Sequence, residues 1–119
     1  MSNNRQKSVA AYCRIGHGDG FALTQQMSTL LAFAPKHIGQ EISFKYSDIC
    51  SGRPNRGSGL HELMVAARHR QFDTLIVYSV TRLARDPSQG RNIITKLARY
   101  GVRVVSVLDD ISTLMLPTN

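Results

Sequence analysis

No apolar run in this 119-residue chain approaches the roughly 20 residues that a membrane span requires. The longest runs, such as Leu75–Tyr78 and Val104–Leu108, are strand-sized. No membrane span and no membrane partner are expected. The segment from Met1 to Lys7 has no apolar core, so no secretory leader is expected either. Cysteine is scarce. Cys13 and Cys50 form neither a CxxC pair nor a zinc spacing, which excludes a disulfide scaffold and points to a reduced, cytoplasmic setting. The four histidines, His17, His37, His61 and His69, share no metal-ligand spacing and read as surface residues. No metal and no cofactor are expected.

Acidic residues are also few. Asp and Glu number 8 against 15 Lys and Arg, for a net charge of +7. Eleven of the cations are arginine, whose planar fork suits bidentate contacts to phosphate or carboxylate. A polyanion partner, most simply nucleic acid, fits this balance. A basic but inert surface is the competing reading. With 42% hydrophobic residues, the chain is expected to fold as one domain around one core.

Strand-like and helix-like segments alternate. Val9–Ile15 reads as a buried strand, Gly16–Gly20 as a loop, and Phe21–Ala34 as a helix stopped by Pro35. Its inward residues are Leu23, Met27, Leu30, Leu31 and Ala34. Ile42, Phe44 and Tyr46 alternate within a strand over Glu41–Ser47. A polar loop, Asp48–Gly59, leads to a helix over Leu60–Arg70 with Leu60, Leu63, Met64 and Ala67 on one face. Thr74–Val80 is an apolar strand, Thr81–Gln89 a basic loop or turn, and Gly90–Tyr100 a helix with Ile93, Ile94 and Leu97 inward. Gly101 stands where a helix takes a C-terminal glycine, and Val102–Leu108 is a fourth strand. The order β-α-β-α-β-α-β implies an α/β fold with a mainly parallel sheet.

Ligands in such folds sit at the C-terminal ends of the strands. Five arginines follow strands in this chain: Arg14, Arg53, Arg56, Arg82 and Arg85. An anion would neutralise such a cluster, as would pairing with Asp48, Asp86, Asp109 and Asp110. Arg82 and Arg85, three apart with Leu83 as anchor, read as a two-pronged phosphate clamp or as a solvated turn. The glycine-rich stretch Gly16–Gly20 can cradle a phosphate, with Asp48 as ribose-binding acid, although its spacing is GxGxG rather than GxGxxG. That makes a small nucleotide-binding protein a further alternative. The loop Ser51–Gly59, with two arginines and several glycines, allows close approach to a ligand or is simply a surface loop.

These residues resemble the catalytic domain of the serine site-specific recombinases, the resolvase/invertase family, over about residues 8–113. The resemblance rests on Tyr12-Cys-Arg14-Ile-Gly16, Gln26, Asp48-Ile-Cys-Ser51-Gly52, Gly59-Leu60, Val80-Thr81-Arg82-Leu83-Ala-Arg85-Asp86 and Asp109-Asp-Ile-Ser-Thr113. It implies a three-layer domain with four strands in the order 2-1-3-4 and helices on both faces; the tail Ile111–Asn119 reads either as a short edge strand or as a loose end. Residues 1–7 are expected to be disordered and 114–119 to form a tail. In the family, a serine hydroxyl attacks a DNA phosphodiester, forming a 5′-phosphoserine link and freeing a 3′-OH without ATP or metal. Arginines stabilise the charge gathered on the phosphate. The resemblance assigns Arg14, Arg82 and Arg85 as active-site arginines, and Arg56 as the loop arginine. Ser51, Thr81, Tyr12, Gln26 and Asp48 fill the remaining polar positions.

Four departures qualify what is implied. The nucleophilic serine maps to Gly16, which has no side chain. Thr81 stands where the family has aspartate. Arg56 falls one residue early, since counting back from Gly59-Leu60 leads to Gly57. The chain also ends where a long dimerisation helix and a DNA-binding domain begin in the family, in which longer members assemble as dimers and tetramers. The expected protein is thus a DNA-strand-exchange domain unable to cleave as written. The alternative is a non-catalytic phosphate- or nucleic-acid-binding module.

Overall fold

A strand paired on both sides and covered on both faces must be apolar throughout, and Val9–Ile15 (VAAYCRI) meets that demand with every residue but Arg14 buried. It forms β1 at the interior of the sheet. The computed structural model describes residues 8–16, 20–49, 59–84 and 86–108. Within them β1 is followed by α1 (Gly20–Phe33), β2 (Ile42–Ile49), α2 (Gly59–Arg68), β3 (Thr74–Val77), α3 (Pro87–Arg99) and β4 (Arg103–Ser106). All three strand pairs are parallel, in the order β2-β1-β3-β4, as expected.

The chain steps from β1 outward to β2, then reverses direction to β3 and β4. Crossovers of one hand then place the first helix on one face and the next two on the other. Accordingly, Leu30 and Ala34 pack on Val9, Ala11, Cys13, Ile76 and Val105. Leu63, Ala67, Ile94 and Leu97 pack on Ala10, Tyr12, Leu75, Val77 and Val104. Among the described residues, no helix is long and apolar enough to cross a membrane.

Several boundaries differ from expectation. α1 ends at Phe33, just ahead of Pro35, but the helical path runs on past it. The chain widens into a single π turn, Ala34–Ile38, and the amide of Gly39 reaches Ala34 O at 3.0 Å. Gly39 ends it with φ 88°, a left-handed conformation that glycine adopts without strain. Leu31, expected inward, is 38% exposed, because α1 alone covers its face and turns Leu31 to the rim. In β2 the pairing slips between Val9/Ile42 and Ala10/Phe44, so Ile42 joins the α1 side while Phe44 and Tyr46 join the α2 side.

Strands β3 and β4 are shorter than the apolar runs that contain them. Two backbone bonds nevertheless continue their pairing, Val107 N to Val77 O at 3.0 Å and Leu108 N to Tyr78 O at 2.8 Å. Val80–Arg82 then forms a 3₁₀ turn instead of strand or loop. α3 begins three residues ahead of Gly90, because Pro87 suits the first helical position. Gly101 takes the expected left-handed conformation, φ 84°. His37, His61 and His69 lie on the surface as expected, and His17 lies outside the described residues.

Candidate active site at the C-terminal edge of the sheet

In a parallel sheet the crevice opens where neighbouring strands send their chains to opposite faces. Here that point lies between β1, which leads to α1 on one face, and β3, which leads to α3 on the other. Arg14, the one partly exposed residue of β1, stands at this point. Its guanidinium reaches across to the 3₁₀ turn after β3. Nη2 donates to Thr81 O at 2.9 Å and Nε to Arg82 O at 3.3 Å. A planar fork can hold two successive carbonyls in this way, which the single ammonium of lysine cannot reproduce. The backbone amide of Arg14 donates to Gln26 Oε1 at 3.2 Å, which ties the same residue to α1.

Arg82 is half-buried, and its Nε finds no hydrogen-bond partner among the described residues. A buried, unsatisfied guanidinium nitrogen is costly and marks a place for an acceptor. Leu83, 1% exposed, anchors the turn in the core, as its position predicts. Burial pushes the Cys13 thiol up to about 12, against a smaller opposing pull from the Arg82 guanidinium. Cys13 is thus a structural thiol, 3.9 Å from the Met27 sulfur, and not a substitute nucleophile.

Among the described residues, Asp48 at the end of β2 pairs with a phenol and two backbone amides and with no arginine. Its Oδ2 accepts from the Tyr12 hydroxyl at 2.6 Å and from Leu60 N at 2.9 Å, and its Oδ1 accepts from Gly59 N at 2.6 Å. It is an N-terminal cap for α2 supplied from eleven residues upstream. The same bonds occupy the acid that a dinucleotide site would need for a ribose. Asp86 likewise accepts from Ser88 Oγ, at 3.0 Å. Replacing Asp48 by alanine is expected to cost about 3 kcal/mol, since it strands a buried phenol and two helix amides. In a thermal melt that corresponds to roughly 10 °C. A melt within 2 °C of the unaltered chain would show that the bracket is not needed.

Of the residues expected at the site, the structure brings Arg14, Thr81 and Arg82 together, with Gln26 behind Arg14. Tyr12 and Asp48 form a second pair under α2. Gly16 directly follows β1 and is exposed, and a Cβ placed there meets nothing within 4 Å. Ser51, Arg53, Arg56, Arg85, Asp109 and Asp110 lie outside the described residues. One participant was not anticipated. Ser79 Oγ lies 2.7 Å from Thr81 Oγ1, pairing the two hydroxyls at the turn. A Ser-x-Thr step straight after an apolar strand is the trace this pair leaves in the sequence.

A family model described as "Resolvase, N terminal domain" matches residues 9–116. Among solved structures, the chain is similar to the N-terminal catalytic domain of TP901-1 integrase. The two are 24% identical, the match covers 90% of this chain and 82% of that one, and the TM-score is 0.76. It is also similar to a resolvase family site-specific recombinase from Streptococcus pneumoniae, at 22% identity, 91% and 76% coverage and a TM-score of 0.75. A third is the C-terminal catalytic domain of ISC1926 TnpA, an IS607-like serine recombinase, at 24% identity, 84% and 70% coverage and a TM-score of 0.74. At such identities the likeness establishes the fold. No curated protein matches the chain.

Proposed function

This chain belongs to the resolvase N-terminal domain family, and from that premise we propose that it is a serine recombinase catalytic domain that binds DNA phosphate but has lost strand cleavage. The observation that carries this reading is the pairing of Arg14 with the Arg82 turn at the end of β1, where position 16 is glycine. Arg14 and Arg82 support the basic half of that chemistry, and glycine at position 16 supports the loss of the nucleophile.

In the active form of this chemistry, a serine oxygen bonds to phosphorus while the bond to the 3′ oxygen breaks. The departing 3′ oxygen gains a proton and the serine loses one. The negative charge on the non-bridging oxygens is what a guanidinium stabilises. Arg82 offers a buried Nε for that purpose. Arg14 positions the turn that carries it, through the two carbonyl bonds. Thr81, in the place of an aspartate, contributes a hydroxyl already paired with Ser79. Arg85, Ser51 and Arg56 belong to the same proposed site by their place in the sequence. In a longer form, the chain would act as a homodimer or tetramer on DNA in the cytoplasm.

The test is a pair of assays on labelled duplex. The unaltered chain is expected to bind many sequences weakly, with affinity falling steeply as salt rises. It is expected to leave no DNA-linked protein after denaturation. Arg82→Gln is expected to weaken binding about tenfold, by removing one charge-assisted contact. Salt-insensitive binding would remove the phosphate-binding half of this reading. A covalent adduct formed by the unaltered chain would remove the other half.

A further inference from the structure

All three helices run back toward the N-terminal ends of the parallel strands, so their C-termini meet at the edge opposite Arg14. Each helical segment ends in basic residues there: Lys36 in the π turn, Arg68 in α2, and Lys96 and Arg99 in α3. A basic residue near a helix C-terminus is explained by the helix dipole. Two more arginines at this edge lie outside any helix. Arg70 follows α2 with φ 56°, and its Nη1 donates to Tyr100 O at 2.8 Å. Arg103 opens β4, paired with Thr74. Among the described residues, two carboxylates oppose these six cations at the same edge, Glu41 and Asp73. The surplus of four is more than half of the chain's +7.

The edge is also shaped. A hollow of about 420 Å³ lies between Ser8, Arg70, Phe72, Asp73 and Tyr100. A second, of about 330 Å³, lies between Ile38, Gln40, Asp73, Thr74 and Arg103. Both reach Gly101 and Asp73, so they adjoin, with Arg70 flanking one and Arg103 the other. The seven residues of β1 separate this edge from the Arg14 site by about 20 Å, too far for both to hold one phosphate.

We propose that this N-terminal edge is a second contact surface for the phosphate backbone of duplex DNA, separate from the site at the C-terminal edge. The inference rests on the DNA-binding reading above and extends it. Arg70 and Arg103 stand exposed at the rims of the two hollows, and Arg68 and Arg99 stand exposed on the neighbouring helix ends, where phosphates of a backbone can seat without unfolding any element. A second copy of this chain does not suit the surface, because like charges would meet.

The experiment compares the salt dependence of duplex binding by three proteins. Arg68, Arg99 and Arg103 are exposed, so the triple change to glutamine is expected to leave the fold intact and to lower the melting temperature by no more than the several degrees that two helix-dipole contacts are worth. Each phosphate that the protein neutralises contributes about 0.9 to the slope of log affinity against log salt. The triple variant is therefore expected to show a slope shallower by about 2 or more. A double variant, Lys45→Gln with Arg91→Gln, removes exposed positive charge elsewhere and is expected to change the slope by less than about 0.5. If the triple variant keeps the full slope, or the two variants flatten it equally per charge removed, the second surface is overturned and the DNA-binding reading stands. If the unaltered chain shows no salt-dependent binding, both fall.

Discussion

A Gly16→Ser chain, tethered to a DNA-binding domain that brings duplex to it, is expected to form a covalent protein–DNA adduct that the unaltered chain does not form. The backbone accepts the change. Position 16 is exposed, a Cβ there meets nothing within 4 Å, and its φ lies outside the left-handed region. The new hydroxyl stands two residues beyond Arg14, whose guanidinium is fastened to the Arg82 turn. Removing a covalent nucleophile typically costs roughly 10⁴–10⁶ in turnover, so restoring one is the largest single gain open to this site. The measurement is labelled DNA that stays with the protein after denaturation and is released by protease. Should no adduct appear, Gly16→Ser with Thr81→Asp separates two causes. An adduct from the double variant assigns the deficit to the lost carboxylate. None from either variant would mean that the shifted Arg56 has disabled the site as well.

Gly59→Ala is expected to be the most damaging single methyl in the described structure. The added carbon would stand 2.3 Å from Ser47 O and 2.9 Å from Ser47 N. Both atoms are backbone of β2, so no flexible side chain can give way. To make room, the start of α2 must move off β2, which breaks the 2.6 and 2.9 Å bonds from its first amides to Asp48. Overpacking and the lost cap together cost about 3–5 kcal/mol. That is a large share of the 5–15 kcal/mol, roughly, that holds a domain of this size together. Gly90→Ala is the matched control. Its Cβ would meet only Val80 Cγ1, at 3.9 Å, in the interior of α3. It is expected to stabilise by up to about 1 kcal/mol. Thermal or urea unfolding of the pair checks both signs, and a Gly59→Ala chain that melts with the unaltered one would refute the close-approach argument.

These two glycines show where sequence reading succeeds and where it stops. The helix faces follow from apolar periodicity, because each buried position obeys a spacing visible along the chain, whereas the sheet order comes with the family resemblance. Leu63, Ala67, Ile94 and Leu97 are buried as their spacing demands. The ends of β3 and β4 are less legible. Tyr78 and Val107 are apolar enough for strand, but the Ser79–Leu83 turn ends the regular pairing. The candidate site is legible only in part. That Arg14 and Arg82 share one edge follows from topology. That Arg14 spends its fork on two backbone carbonyls has no sequence signature, since carbonyls are common to all residues. The Asp48 cap is equally silent, because capping patterns are local and this one spans eleven residues.

That bracket between Asp48 and Gly59 has an evolutionary consequence. With both ends of the intervening segment fixed to each other, the fold gains little from any particular length between them. Doubling such a span costs only about 0.6 kcal/mol in closure entropy. On closure entropy alone a change of length there costs the fold little, so the bracket does not set the register of Arg56. Selection on position 56 would then be selection on chemistry alone, and under the proposed loss of the nucleophile that selection lapses.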